Sequence, residues 1–260
     1  MARRRLEDGE SYVAGGVALN AAMNAARISR DIDLFHDTAE AVQTAWEADR
    51  RAFASAGFDV KAARQTEGFI EAMVSRGSET VMVQWTRDSA YRFFPLVMDE
   101  ELGLVLHPFD LAVNKALALV GRLEVRDWID IINSHDRIQN LGYLFWAACG
   151  KDPGYSPTLL VAEAGRSSHY SKEEVDALSF AGAAPDARAL SCIWRDMLRE
   201  AAEIVDLLPP EHVGTCVMDE NGFLLKLGKT GLEEAMRLSR VRFHAGSLRG
   251  SLPRFVLARR

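Results

Sequence analysis

The chain has 260 residues, 48% of them apolar and 26% charged, with three cysteines and a formal charge of −6. That profile excludes disordered and fibrous classes and fits one large or two small domains, long enough to bury a core. No apolar run approaches the ~18 residues of a membrane span, and the basic start is followed by Leu6-Glu7-Asp8-Gly9-Glu10 where a secretion signal would need an apolar stretch.

Cys149, Cys192 and Cys216 lie far apart without a CxxC spacing. A disulfide framework or zinc ribbon is therefore not expected, and a reducing, cytoplasmic location is. The charge is uneven. Seven arginines and no acid fall between Arg237 and Arg260, so residues 1–236 carry 24 basic against 37 acidic groups, a net −13. A basic tail on an acidic body suggests a polyanion contact, or else a solvated surface.

In chain order, Tyr12-Val13-Ala14 reads as a short strand ending in Gly15-Gly16, and Val17 to Ala26 as an alanine-rich helix. Ile28 to Phe35 alternates apolar and polar residues, the period of a strand with one buried face. Thr38 to Ala56 predicts a helix stopped by Gly57. Strands follow at Phe58–Ala62, Phe69–Val74 and Thr80–Trp85, the last two joined by a turn at Arg76-Gly77-Ser78. The second half is mostly helical. Helices are expected from Asp110 to about Leu123, from Val125 to His135, after the capping box Ser171–Glu174, and from Asp186 to Leu208 before Pro209-Pro210. Asn221-Gly222 suggests a small hairpin between Cys216–Met218 and Phe223–Leu225. Lys151 to Pro157 is the best linker candidate.

Chemistry concentrates near the first strand. A strand ending in two glycines and feeding a helix exposes backbone N–H groups, and the missing side chains let a phosphate approach them. In Arg27-Ile28-Ser29-Arg30-Asp31-Ile32-Asp33, Asp31 and Asp33 project from one strand face, with Ile32 and Leu34 turned to the core. Two carboxylates on one face repel unless a cation sits between them, and hard oxygen ligands suit Mg²⁺ or Mn²⁺ carrying substrate phosphates. Arg27 and Ser29 share that strand phase and are placed to donate to a triphosphate.

A glycine pair is usually only a turn, and an exposed DxD is usually a solvated strand face. The combination of strand, GG, helix of about three turns and DxD strand is more specific. It resembles the nucleotidyltransferase superfamily that includes DNA polymerase β, where GG or GS binds the triphosphate and DxD the metals. Asp110 to Lys115, continuing through Arg122 to Arg126-Asp127-Trp128-Ile129-Asp130, narrows the likeness. Interhelix ion pairs such as Lys115 with Asp127 are the ordinary reading of these charges. Taken with RxSxDxD, they resemble the AbiEii/AbiGii toxin family of nucleotidyltransferases over residues ~10–135.

The resemblance implies an α/β (α+β) fold: a polymerase β-like core with a small mixed sheet flanked by helices in residues 1–135, then a mostly helical C-terminal domain with a basic tail in 136–260. It implies that Gly15 and Gly16 cradle phosphate, that Asp31 and Asp33 bind metal, and that Lys115 contacts the nucleotide. Asp127 would complete the active site, either as base for the acceptor hydroxyl or otherwise, with Asp130 behind it. The superfamily's third carboxylate belongs on the strand Val81–Asp88, where Gln84 takes the inward position; Asp88 or Asp127 would have to replace it.

The implied activity is transfer of NMP from an NTP to an acceptor, with RNA and tRNA foremost, by a toxin with a cognate antitoxin. Alternatives are transfer to a small-molecule or protein hydroxyl, and a catalytically degenerate nucleotide- or partner-binding protein. The histidines show no metal-ligand spacing and read as structural, His36 the least safely, and Arg92 has the chemistry to meet a phosphate.

Overall fold

The computed structural model describes residue 5, residues 9–167 and residues 170–253. Contacts gather into two compact units, one of Met1–Ala90 with Leu96–Leu111, the other of Tyr91–Pro95 with Ala112–Arg260. Along the first run lie β1 (Ser11–Ala14), α1 (Gly15–Met23), β2 (Asp31–His36), α2 (Ala39–Ser55), β3 (Asp59–Gln65), β4 (Phe69–Arg76) and β5 (Glu79–Arg87). β6 (Tyr91–Arg92) belongs to the second unit, and β7 (Val97–Asp99) and β8 (Gly103–Val105) return to the first.

The first unit is built on a seven-stranded mixed sheet in the order β3-β4-β5-β2-β1-β8-β7. β2 runs antiparallel to β1 and parallel to β5, and β1 continues to β8 through the parallel pair Val13↔Val105. The period-two pattern read in the sequence sorts the two faces. Leu34, Ile70, Ala72, Val74, Val83 and Trp85 are buried on one side. α2 covers that side with Val42, Ala45 and Trp46, and Trp46 meets Trp85 edge to face at 4.9 Å between centroids. Trp85 Nε1 donates to buried Asp49 Oδ2 at 3.0 Å, which satisfies both polar groups inside the core. Thr38 caps α2 by accepting from Ala41 N. The other face of β2, β5 and β4 carries Asp31, Asp33, Met82, Gln84, Phe69, Glu71 and Met73, all half-buried.

In the second unit, α3 (Pro108–Arg122, its first turn in the first unit) is followed by α4 (Val125–Arg137), α5 (Leu141–Lys151), α6 (Pro157–Ala164), α7 (Lys172–Asp176) and α8 (Ala187–Leu207). β9 (Thr215–Asp219), α9 (Lys229–Arg237), β10 (Val241–Ala245) and β11 (Ser247–Leu248) complete the described chain, β11 pairing with β6. The apolar stripe of α8 is buried at Trp194, Met197, Ala201, Ile204 and Val205. It packs with Tyr143 and Trp146 of α5 and Val217 of β9 in a shared core. The capping box of α7 is present in both directions, between Ser171 and Glu174.

Two expectations change. The Asn221-Gly222 turn makes only an isolated bridge, Met218↔Leu224, and β9 pairs instead with β10 beyond α9. Val241 and Phe243 give β10 an apolar side to set against the core, which the Phe223 arm, 71% exposed at Phe223, does not match. Lys151 to Pro157 is a turn within the second unit, with Asp152 Oδ1 accepting from Gly154 N and Ser156 capping α6. The arginine-rich end is in part structured: Arg242 lies in β10, while Arg254, Arg259 and Arg260 lie outside the described residues. Among the described residues no helix is long and apolar enough to cross a membrane.

Candidate active site

β1 delivers the chain to Gly15 at φ +64°, a left-handed conformation that favours glycine, and α1 starts there with no side-chain cap. Its first N–H groups therefore have no side-chain acceptor from the cap position. The antiparallel register places Ala14 opposite Asp33, so the turn at Gly15 passes directly over that carboxylate. A Cβ at Gly15 would fall 1.7 Å from Asp33 Oδ2. A Cβ at Gly16 would meet Ser29 Oγ at 2.7 Å and Arg27 Nη2 at 2.9 Å. Gly15, Gly16, Arg27, Ser29 and Asp33 are thus brought together, with Asp31 on the same strand face.

The residues fit a triphosphate with a divalent cation. Hard carboxylate oxygens stand beside a side-chain-free helix start with a guanidinium and a hydroxyl at its edge. One neighbour of the glycine pair has no counterpart in the sequence reading. Asn20 lies one turn along α1 from Gly16, is 6% exposed, and neither amide atom has a hydrogen-bond partner. A buried orphan amide is costly to keep, and only its burial, invisible in an alanine-rich stretch, marks it out. Among the described residues no group of three or more His, Cys, Asp or Glu side chains has metal-holding geometry.

Gln84 does occupy the position beside the DxD pair, directly opposite Asp33 in the parallel β2–β5 register. Its Nε2 donates to Glu71 Oε2 at 2.9 Å and lies 3.5 Å from Met82 Sδ. One polar row therefore crosses four strands: Asp33, Gln84, Glu71 and Arg64. His36 is fully buried on the opposite face of β2, two residues beyond Leu34. Arg92 is 3% exposed, which removes it from the surface where a phosphate could be met.

Lys115 and Asp127 fall in the second unit, and the glycine and DxD residues in the first. Lys115 Nζ reaches Asp127 Oδ1 at 2.8 Å and Asp130 Oδ2 at 3.3 Å, both carboxylates being fully buried. Between α3 and α4 the chain reverses at Leu123, whose φ of 52° is rare for a leucine. That tight break carries Arg122 back over the first turn of α4, where it grips Asp127 in a fork: Nε to Oδ2 at 2.6 Å, Nη2 to Oδ1 at 3.0 Å. Burial pushes the Asp127 pKa up, but the Arg122 hydrogen bonds and the Lys115 charge outweigh it and hold the carboxyl below its ordinary value. Asp127 is therefore an ionised anchor for two cations and a weak proton acceptor. The Lys115–Asp127 pair was legible in the sequence; the Arg122 fork was not.

Solved structures with this architecture are distant in sequence. JHP933 from Helicobacter pylori is 15% identical, with 78% of this chain and 88% of that one covered at a TM-score of 0.53. MenT4, the nucleotidyltransferase toxin Rv2826c of Mycobacterium tuberculosis, is 17% identical, with 78% and 77% covered at 0.51. At these identities the likeness is one of fold. No curated protein sequence matches the chain. The sequence model described as nucleotidyl transferase AbiEii toxin, type IV toxin–antitoxin system, matches residues 2–135. That span is just over half of the chain and includes every residue of both clusters, so the protein belongs to the AbiEii family of nucleotidyltransferase toxins.

Proposed function

We propose that this nucleotidyltransferase uses an NTP and a divalent cation to transfer NMP to an RNA acceptor, with tRNA foremost. The acceptor hydroxyl oxygen forms a bond to the α-phosphorus, the bond from that phosphorus to the bridging oxygen breaks, and pyrophosphate and the hydroxyl proton leave. The observation that carries the reading is the seating of Gly15 against Asp33 and of Gly16 against Ser29 and Arg27, because a side chain at either glycine would displace the carboxylate, hydroxyl or guanidinium gathered beside the start of α1.

Backbone N–H groups at the start of α1 bind phosphate oxygens, Arg27 and Ser29 donate to the same group, and Asp31 and Asp33 hold the cation. Mg²⁺ or Mn²⁺ bound there supplies neutralisation of phosphate charge and acidification of the attacking hydroxyl. The family resemblance gives Lys115 the role of a point cation for phosphate, and Asp127 holds Lys115 and Arg122 by ion pairs within their own unit. The family's toxin–antitoxin system supports a cognate antitoxin as partner. The arginines toward the C-terminus support a polyanionic acceptor.

Labelled NTPs offered in parallel with tRNA, a protein mixture and small hydroxyl compounds test this. EDTA-sensitive label on tRNA, lost in Asp33→Asn, is the expected result. Label on protein or small acceptors alone would replace the RNA acceptor, and nucleotide binding without transfer to any acceptor would overturn the enzyme reading.

A further inference from the structure

The position where the wider superfamily keeps a third carboxylate holds a glutamine, and that glutamine is not loose. A carboxylate only accepts hydrogen bonds, so the contact of Gln84 with Glu71 at 2.9 Å fixes which end of the amide faces β4: the nitrogen. The carbonyl oxygen is then turned away from Glu71. β4 and β2 flank β5 on opposite sides, and the residue directly across from Gln84 on β2 is Asp33. Neighbouring strands are ~4.8 Å apart, so the Glu71 backbone stands about 10 Å from that of Asp33, with Gln84 between them. The hydrogen bond from Gln84 Nε2 is what links Glu71 to the residue beside Asp33.

We propose that Glu71 is a positioning residue: by accepting from Gln84 Nε2 it locks the amide so that Gln84 Oε1 serves the Asp31–Asp33 pair as a neutral oxygen toward a divalent cation. This inference rests on the reading of Asp31 and Asp33 as the cation-holding pair. A neutral carbonyl is a competent hard-oxygen ligand but cannot take a proton. The chain thus keeps an oxygen at the third position and gives up a base there. The negative charge is moved one strand outward, where it orients the ligand instead of being one. Partners that orient a ligand typically change metal affinity on the order of tenfold or more when removed.

The experiment is Mn²⁺ binding to the full chain without nucleotide, followed by electron paramagnetic resonance, with thermal melting as the control for folding. Glu71→Gln keeps the shape but lets residue 71 donate, which frees Gln84 to turn its nitrogen toward Asp33. Glu71→Asp keeps the charge but withdraws it from reach. Both should weaken Mn²⁺ binding on the order of tenfold with melting unchanged. Gln84→Leu should weaken it similarly, and Glu71→Gln/Gln84→Leu no further, because one acts through the other.

Wild-type affinity in Glu71→Gln overturns the proposal, as does an additive loss in the double variant. Loss in Glu71→Gln with full retention in Glu71→Asp also overturns it, since charge alone would then be the cause. Asp33→Asn separates the layers. If it binds Mn²⁺ like the wild type, the cation pair itself is misassigned. If it loses binding while Glu71→Gln does not, only the role of Glu71 falls.

Discussion

Gly15 and Asp33 compete for one volume: the missing side chain of the glycine is the space the carboxylate occupies, with a Cβ placed only 1.7 Å from Oδ2. The relation follows from the register that sets Ala14 opposite Asp33, and it ties the phosphate-facing turn to the DxD strand. Gly15→Ala should therefore remove NMP transfer even at saturating NTP, because Asp33 must move. Gly77, in the β4–β5 turn at φ +63° with nothing within 4 Å, is the matched control. Both substitutions carry the ~1–2 kcal/mol strain of a left-handed alanine. Only the first displaces a carboxylate. Equal activity in Gly15→Ala and Gly77→Ala would show that the contact has no catalytic weight.

The glycine pair and DxD strand were legible because their chemistry depends on local spacing, one strand phase and one turn. The ion pair of Lys115 with Asp127 was legible for a similar reason, as two helices in succession bring the charges together. Glu71 was not. In Phe69-Ile70-Glu71-Ala72-Met73 it is one acid on the polar phase of a strand, and its meaning comes from cross-strand register with Gln84, which no single segment encodes. β7 and β8 are three residues each, too short to show a period. α5 is buried from Leu141 through Cys149, so it has no polar face to give it away as an amphipathic helix. The partner of β9 was misread because turn chemistry at Asn221-Gly222 is local, whereas the burial of Val241 and Phe243 is not.

Asn20 separates function from stability. A buried amide without partners costs roughly 1–3 kcal/mol, so Asn20→Leu, which keeps the branching at Cγ and is apolar, should raise the melting temperature. If the amide contributes to the nucleotide site one turn from Gly16, the same variant should raise the KM for NTP. Stabilisation with an unchanged KM would assign Asn20 to packing alone.

The buried cluster in α3 and α4 makes a pH prediction. The Asp127 pKa is held below its ordinary 3.8 by Arg122 and Lys115 despite burial. A carboxylate depressed on folding contributes stability that is present above the unfolded value and lost as pH falls through the folded one. Urea melts should show wild type exceeding Asp127→Asn by a constant margin above about pH 5, a margin that shrinks below about pH 4. Lys115→Met should cost about 3–5 kcal/mol at neutral pH, since it leaves Asp130 and part of Asp127 without their buried cation. A margin that does not narrow in acid would mean the cluster does not favour the ionised form.

Six of the seven arginines after α8 divide into two groups, and the seventh, Arg242, donates to the carbonyl oxygens of Ser239 and Val241. Arg237 lies 3.6 Å from Glu234 and Arg240 lies 3.6 Å from Glu220, all four well exposed, so their charges are already matched by neighbours. Arg249, Arg254, Arg259 and Arg260 follow in a stretch of sequence that itself contains no acid. If the acceptor is RNA, the second group is the one that should release counterions on binding, at about 0.7 in the log–log salt slope per phosphate neutralised on a single strand. Changing those four to Ala should therefore flatten the slope by roughly two to three and weaken tRNA binding at low salt, with NTP affinity unchanged. Arg237→Ala/Arg240→Ala should leave the slope near the wild-type value, because each removal also frees a neighbouring acid that was paired. A slope unaltered in the fourfold variant, or an equal change in both variants, would mean that RNA is held elsewhere or through the net charge of the chain as a whole.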